Sequence, residues 1–480
     1  MTITESAARA YEPVIGIEIH VQLKTLTKMF CGCALSFGDD PNTHTCPVCL
    51  GHPGTLPVTN AEAIHFALMI AMAFECEIAP RSIFHRKNYF YPDLPKGYQI
   101  SQYDIPIAGA GRLGDVRIHR VHLEEDAAKL VHAGASGRIH GAQSSVVDFN
   151  RGGTPLVEIV TEPDLRSASE AADFGRLLQA TLRRMGVSDV NMEEGSLRVD
   201  ANVSIRPAGE TTLGTKTELK NMNSFRFLER GIEAEIERQR AALAAGEGIE
   251  QETLHFDPQS GQITTLRSKE EAHDYRYFPE PDLVPIVPTE RMLERARAAL
   301  PELPAARAER LERELGLPGE TAKLLSFRAE LGDFYEAALS SDGGDPRVLA
   351  NWTTNELTAR IGETDPAATK LEPAAFARLV GMVASKEVSS AAGRDVLGVL
   401  VAEGGDPAAV VESKGLGRAG EDELGAIVDQ AIADNPDAVE KIRAGKGQAA
   451  GAIVGAVMRA TRGRADGGEV QRMIRERLDG

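Results

Sequence analysis

Alternation of apolar and polar residues with a period of two recurs from Tyr11 to about Val287 and then stops. A strand turns successive side chains to opposite faces, so each such segment must lie half-buried in a sheet. Strands are expected at Val14 to Leu23, Val116 to Glu125, Pro155 to Thr161 and Leu197 to Ile205. Two helices interrupt them: Ala61 to Glu77, apolar on most sides, and Ser224 to Ala245, where Ser224 suits an N-cap before a charged amphipathic run. Beyond Pro288, Ala, Leu, Glu and Arg dominate, and Pro or Gly separates short helical segments. The fold class expected is therefore α+β. A β-rich domain covers about 1–295 and an all-α helical domain 296–404. After breaks at Gly404 to Pro407 and Gly415 to Gly420, a small helical tail covers 405–480.

Several domains also follow from length, since 480 residues exceed the roughly 250–300 at which one core stops growing. Lys and Arg number 53 against 71 Asp and Glu, a formal charge of −18. Spread evenly, that charge would repel a phosphate backbone, so any nucleic-acid site must be a local basic surface. The first residues lack the pattern of a secretory signal, and no apolar run approaches the ~20 residues of a membrane span, so a soluble cytoplasmic protein is expected.

In Val14-Ile-Gly-Ile-Glu-Ile-His-Val-Gln-Leu23, Ile15, Ile17, Ile19 and Val21 share one face, while Glu18, His20 and Gln22 share the other. Leu197 to Ile205 repeats the arrangement, with Arg198, Asp200, Asn202 and Ser204 on its polar face. The segment His122-Leu-Glu-Glu-Asp126, containing Glu125, ends another strand, and Glu158 interrupts the apolar run Leu156-Val-Glu-Ile-Val160. A carboxylate among apolar strand residues needs a partner charge or a metal, because an unpaired buried charge is strongly unfavourable. If these strands share a sheet, the acids and one imidazole converge as an oxygen-rich set suited to magnesium or manganese. Taken singly, each polar face also suits the solvent side of an antiparallel sheet; recurrence on four segments favours the metal site.

Cys31-Gly-Cys33 and Cys46-Pro-Val-Cys49 supply four thiolates in two close pairs. That is the donor set of a tetrahedral zinc site, and four protein ligands leave no open position, so the role expected is structural. A redox dithiol at Cys46 and Cys49 is the competing reading, which the second pair disfavours. Cys76 lies in an apolar helix and reads as a core residue.

Arg81 to Gln102 interleaves His85, Arg86, Lys87 and Lys96 with Phe84, Tyr89, Phe90, Tyr91 and Tyr98. The mixture suits phosphate contact with base stacking, and equally an aromatic cover over a core. Lys216 and Lys220, on either side of Glu218, share one strand face and suit either nucleotide phosphate or solvent. From Lys441 to Gly480 nine Lys or Arg stand against four Asp or Glu, whereas 405–440 carries two against nine. Such a basic helical tail suits contact with tRNA, or a solvated helix face. The chain has no G-x-x-x-x-G-K-[ST] and no G-x-S-x-G, so ATP chemistry would use no P-loop, and ammonia would come from a partner.

Taken together, the first strand, Arg86-Lys-Asn-Tyr-Phe-Tyr-Pro-Asp93, His122-Leu-Glu-Glu-Asp126, Gly153-Thr-Pro-Leu-Val-Glu158, Glu193-Glu-Gly-Ser-Leu-Arg-Val-Asp200 and Asp274-Tyr-Arg-Tyr-Phe-Pro279 resemble GatB, the B-subunit family of aspartyl/glutamyl-tRNA amidotransferases. Asn351 to Glu356 and Gly447 to Arg464 resemble its helical and tail regions, the tail being similar to YqeY proteins. The resemblance implies a cradle-like catalytic domain and a heterotrimer with the GatA amidase and small GatC. It also implies ATP-dependent phosphorylation of the side-chain carboxylate of Glu-tRNA(Gln) or Asp-tRNA(Asn), followed by amidation with ammonia that the amidase releases from glutamine. Carried over, Glu18, His20, Glu125, Glu158 and Asp200 are the candidate catalytic residues and magnesium ligands, with the direction of Glu124 open. Lys87 and Arg198 are expected to hold phosphate or substrate. A non-catalytic, zinc-bearing RNA-binding scaffold is the alternative. Some relatives lack the cysteines, which agrees with a structural zinc. Replacing one ligand, Cys46→Ser, should lower both the zinc content and the thermal unfolding temperature; a variant unchanged in both would refute the assignment.

Overall fold

The computed structural model describes residues 11–479 apart from 37, 134–143, 268–273, 343, 418–419, 444–446 and 462–463. The chain divides into two compact units, Met1–Leu303 and Pro304–Gly480. In the first, the strands are β1 (Tyr11–Gln22), β2 (Phe84–Asn88), β3 (Tyr98–Gln102), β4 (Gly111–Leu113), β5 (Val116–Glu125), β6 (Lys129–Ala133) and β7 (Ser144–Asp148). They continue as β8 (Pro155–Thr161), β9 (Leu197–Pro207), β10 (Thr217–Met222), β11 (Thr253–Phe256), β12 (Ile263–Arg267) and β13 (Phe278–Pro279). All but β6 and β7, which form a separate hairpin, belong to one sheet ordered β12-β11-β10-β9-β1-β8-β5-β3-β2-β13, with β4 paired to β5. Its pairs are antiparallel except β10 with β11.

The alternation in β1 is what centres the sheet. Ile15, Ile17, Ile19 and Val21 are fully or almost fully buried, together with Val199, Ala201 and Val203 of β9, Val157 and Ile159 of β8, and Val121 and Leu123 of β5. Three helices join this core: α1 (Ala61–Ala73), α2 (Ala168–Met185) and α3 (Phe225–Ala244). Each starts on a side-chain cap, with Asn60 accepting from Glu62 and Ala63, Ser167 from Glu170, and Ser224 from Phe227. Helix α1 stops four residues short of the expected Glu77. Glu75 enters the left-handed region at φ 51°, and the Cys76 amide bonds back to the Ala71 carbonyl at 2.8 Å. A fourth helix, α4 (Glu290–Ala299), packs on α1, where Arg295 reaches Glu62 at 2.7 Å.

In the second unit every regular element among the described residues is helical. It holds two separate apolar clusters, one around Leu325, Tyr335, Phe376 and Leu397, the other around Leu424, Val428, Ile453 and Val470. The basic tail spends part of its charge internally: Arg464 pairs with Glu423, its Nη1 at 3.3 Å, and Arg477 pairs with Asp429. No helix among the described residues is long and apolar enough to cross a membrane.

Fully burying an isoleucine contributes roughly 1.5–3 kcal/mol, and truncating one also leaves a cavity. Ile19→Ala should therefore destabilise the first unit by about 2–5 kcal/mol in denaturant unfolding, against less than about 0.5 kcal/mol for substitution of an exposed residue such as Glu193.

Candidate catalytic cleft and cysteine cluster

The face of β1 that turns away from the core carries Glu18, His20 and Gln22, and pairing on both sides sets their neighbours. His20 lies opposite Glu158 of β8 and Arg198 of β9, Glu18 opposite Asp200, and His122 of β5 opposite Glu158. These residues therefore form a row across the middle of the sheet. His20 Nε2 stands 3.5 Å from Glu158 Oε2, 3.8 Å from Glu18 Oε1 and 3.9 Å from Glu124 Oε1. Two overlapping groups, Glu18–His20–Asp200 and His20–Glu124–Glu158, each bring three donor atoms within 4.8 Å of one another. Carboxylate oxygens with one imidazole, so spaced, fit a hard divalent cation.

The electrostatics of this floor are strained. Burial pushes the Glu18 carboxyl up, and nearby Glu158 adds to the shift against His20 and Lys220. Burial disfavours charge on His20 too, but its hydrogen bond to Glu158 and the fields of Glu124 and Glu158 raise its pKa overall. His122 is wholly enclosed; burial opposes its charge, yet Glu158 and Glu124, at 3.3 and 3.6 Å, move it up to about 9. The same imidazoles hold Glu158 well below the usual carboxylate range despite the penalty of burial.

Glu125 does not join the set. Strand alternation turns His122 and Glu124 toward the cleft and Leu123 and Glu125 the other way. There the Glu125 carboxylate is buried, ion-paired with Lys96 and accepting from the Ile100 amide at 2.9 Å. Glu124, whose direction the sequence left open, takes the place expected of Glu125. It is 4% exposed and accepts from Ser101 Oγ at 3.1 Å.

A cleft of about 660 Å³ opens over this floor, lined by His20, Glu124, Asp200, Lys87, Arg198 and Tyr275 among others. Lys87 lies against Tyr275, its Nζ 4.8 Å from the ring centre. Burial works against its charge but Glu124, Tyr277 and Tyr275 outweigh it and raise its pKa. Arg198 donates to Asp126 at 3.0 Å. Lys220, on β10, is shared between Asp200 at 3.3 Å and Glu218 at 2.9 Å; burial opposes its charge, but these acids raise its pKa. Lys220 lines the cleft. His122 and Asp126 belong to the site as well, although sequence reasoning named neither as a site residue. The signal available was the alternation of His122 with Glu124 along one strand. In the aromatic segment Arg86 lies against Tyr98 and is paired to buried Glu280 at 2.7 Å, while Tyr89 lines the cleft.

Away from this floor, Cys31, Cys33, Cys46 and Cys49 bring their sulfurs within 4.8 Å of one another, a set that could hold a metal ion. The backbone turns tightly enough for the Cys46 amide to donate to Cys49 Sγ at 3.2 Å, and buried Lys28 sits 3.8 Å from the same sulfur. The Cys31 thiol, with help from that amide and Lys28, draws the Cys49 pKa down to about 4 against the effect of burial. Four sulfurs so placed fit a soft or borderline metal such as zinc. Cys76 is buried away from the cluster, and burial alone pushes its thiol up to about 12.

Comparison with known proteins identifies the family. The family model described as the GatB/GatE catalytic domain matches residues 13–294, and that described as the GatB domain matches 333–478. Relatives named as the B subunit of aspartyl/glutamyl-tRNA(Asn/Gln) amidotransferase include one from Thermobifida fusca, 48% identical over 99% of this chain and 95% of its own length. Another, from Frankia casuarinae, is 49% identical over 98% of this chain and 96% of its own. A third, from Thermosynechococcus vestitus, is 46% identical over 100% and 98%. With the whole chain covered at such identity, this protein belongs to the GatB family, the B subunits of tRNA-dependent amidotransferases.

Proposed function

We propose that the cleft transfers the γ-phosphoryl group of ATP to the side-chain carboxylate of glutamate on tRNA(Gln) or aspartate on tRNA(Asn), and that ammonia then displaces phosphate to give the amide. In the first step a carboxylate oxygen bonds to the γ-phosphorus as the bond to ADP breaks. In the second, ammonia bonds to the activated carbon and phosphate leaves. The observation that carries this reading is the convergence of Glu18, His20, Glu124, Glu158 and Asp200 in two overlapping donor sets, of which His20, Glu124 and Asp200 line one cleft together with Lys87 and Arg198.

Glu18, His20, Glu124, Glu158 and Asp200 are the residues that would hold magnesium. Magnesium, when bound, offsets the charge that phosphoryl transfer concentrates on oxygen. Lys87, kept cationic among tyrosines and beside Glu124, and Arg198, anchored by Asp126, face the cleft and are placed in this reading on the phosphate. The enzyme class is then an ATP-dependent carbon–nitrogen ligase with glutamine as amido donor. Nothing in the sequence supplies a glutaminase nucleophile, so the ammonia comes from a GatA amidase partner, with GatC completing a heterotrimer. The four cysteines hold a structural zinc, consistent with a reducing cytoplasm. The tail of residues 405–480 contacts tRNA through its basic end, where Lys441 to Gly480 carries nine Lys or Arg against four Asp or Glu.

The test is turnover by the reconstituted complex with each misacylated tRNA in separate assays. Wild-type protein should form ADP and amidated tRNA, and His20→Ala should reduce both by about 100-fold or more while tRNA binding and thermal stability persist. Full turnover by His20→Ala would instead make this subunit a non-catalytic scaffold. The tRNA that supports turnover identifies the working substrate.

A further inference from the structure

Asp126 follows the last residue of β5 and is 3% exposed. Its backbone is fixed on both sides, the amide donating to the Thr154 carbonyl and the carbonyl accepting from Gly153, each at 2.8 Å. Its carboxylate collects donors from separate elements, Gln22 Nε2 at 2.6 Å from β1, Arg198 Nη2 at 3.0 Å from β9 and its neighbour's amide at 2.9 Å, and is ion-paired to Arg151 with Nε at 3.7 Å. Two guanidinium groups around one carboxylate leave net positive charge at a rim that is otherwise acidic.

The cations of the cleft differ in what they have left to offer. Lys220 is shared between two carboxylates and Lys87 sits in the field of Glu124. Arg198 uses Nη2 on Asp126, and among the described residues its remaining N–H groups have no other hydrogen-bond acceptor. Its Cα register opposite His20 places it beside the carboxylate floor. A guanidinium held at one corner and free at the others is the arrangement that grips a tetrahedral oxyanion with two donors in parallel.

We infer that Asp126 is the positioning residue that sets Arg198 as the clamp on the phosphoryl group in transfer. The inference rests on the reading of the cleft as a phosphoryl-transfer site. Asp126 touches neither substrate nor metal; it acts through Arg198, and Gln22 and Arg151 keep its carboxylate from rotating toward the metal ligands. Because Arg151 also donates to the Ala127 and Ala128 carbonyls, and Phe149, two residues before it, accepts from Lys28 at 2.9 Å, the same loop runs from the cysteine cluster to the clamp.

The experiment is a double-mutant cycle in the reconstituted complex with Asp126→Asn, Arg198→Ala and both together. It reads kcat/KM for ATP during amidation of misacylated tRNA, and calorimetric affinity for the β,γ-imido analogue of ATP with magnesium. Asp126→Asn and Arg198→Ala should each lower kcat/KM about 10- to 100-fold, and the double variant should be no worse than Arg198→Ala alone. Arg198→Lys, which keeps the charge and loses the fork, should not restore activity. Analogue affinity should fall in step, a change that thermal stability alone does not produce. If Asp126→Asn does not fold, Asp126→Glu carries the same cycle. Unchanged kcat/KM in the Asp126 variant, or an effect that multiplies with that of Arg198→Ala, overturns the inference while the functional reading stands. A wild-type complex that consumes no ATP overturns both.

Discussion

The pairing of β1 on both edges is the constraint on which the first unit depends. As the strand between β8 and β9, it is pinned by hydrogen bonds on each side, and its period of two sends the isoleucines into the core and Glu18 and His20 to the opposite face, where His20 lines the cleft. A slip of one residue would exchange the two faces, burying two titratable groups and exposing four large apolar ones. The core therefore locks the register, and the register puts His20 across from Glu158 and Glu18 across from Asp200. Stability and site geometry have the same origin.

Holding several carboxylates this close requires compensation. Here it comes from imidazoles and cations placed among them: His20 and His122 between Glu124 and Glu158, Arg120 at 3.1 Å from Glu158, and Lys220 against Asp200. Burial and like charges at such separations drive protons onto acids, and the raised pKa of Glu18 reflects burial first and its neighbour Glu158 second. A divalent cation relieves the same tension, which is why this donor set suits one better than it suits solvent. The cysteine cluster solves a parallel problem with softer donors, and Lys28 and the Cys46 amide stabilise negative charge on its sulfur.

Much of this was legible in the residues. The four long strands, the cap at Ser224 and the change to an all-helical character past Pro288 all follow from local rules of period, capping and punctuation. The cysteine cluster followed from spacing, because two close pairs have few ways to meet. Glu18, His20, Glu158 and Asp200 could be read because each sits inside a strand whose apolar neighbours fix its face. Glu125 misled because Glu124, Glu125 and Asp126 are three consecutive acids at a strand end, where alternation has no apolar residue beyond it to settle which one turns inward. Asp126 and Lys220 gain their meaning only from partners on other strands, Arg198 and Asp200, and no local pattern encodes those distances. The basic tail shows the limit of counting charge, since Arg464 and Arg477 are taken up by Glu423 and Asp429.

The account rests on Glu124, and not Glu125, completing an oxygen-rich cation site with His20 and Glu158. Equilibrium binding of manganese to the assembled complex, followed by paramagnetic resonance, tests this most directly. Glu124→Gln should weaken manganese binding at least about tenfold, whereas Glu125→Gln should leave it at the wild-type value even if loss of the Lys96 pair lowers thermal stability. The opposite pattern, with affinity lost in Glu125→Gln and kept in Glu124→Gln, would contradict the site as built here.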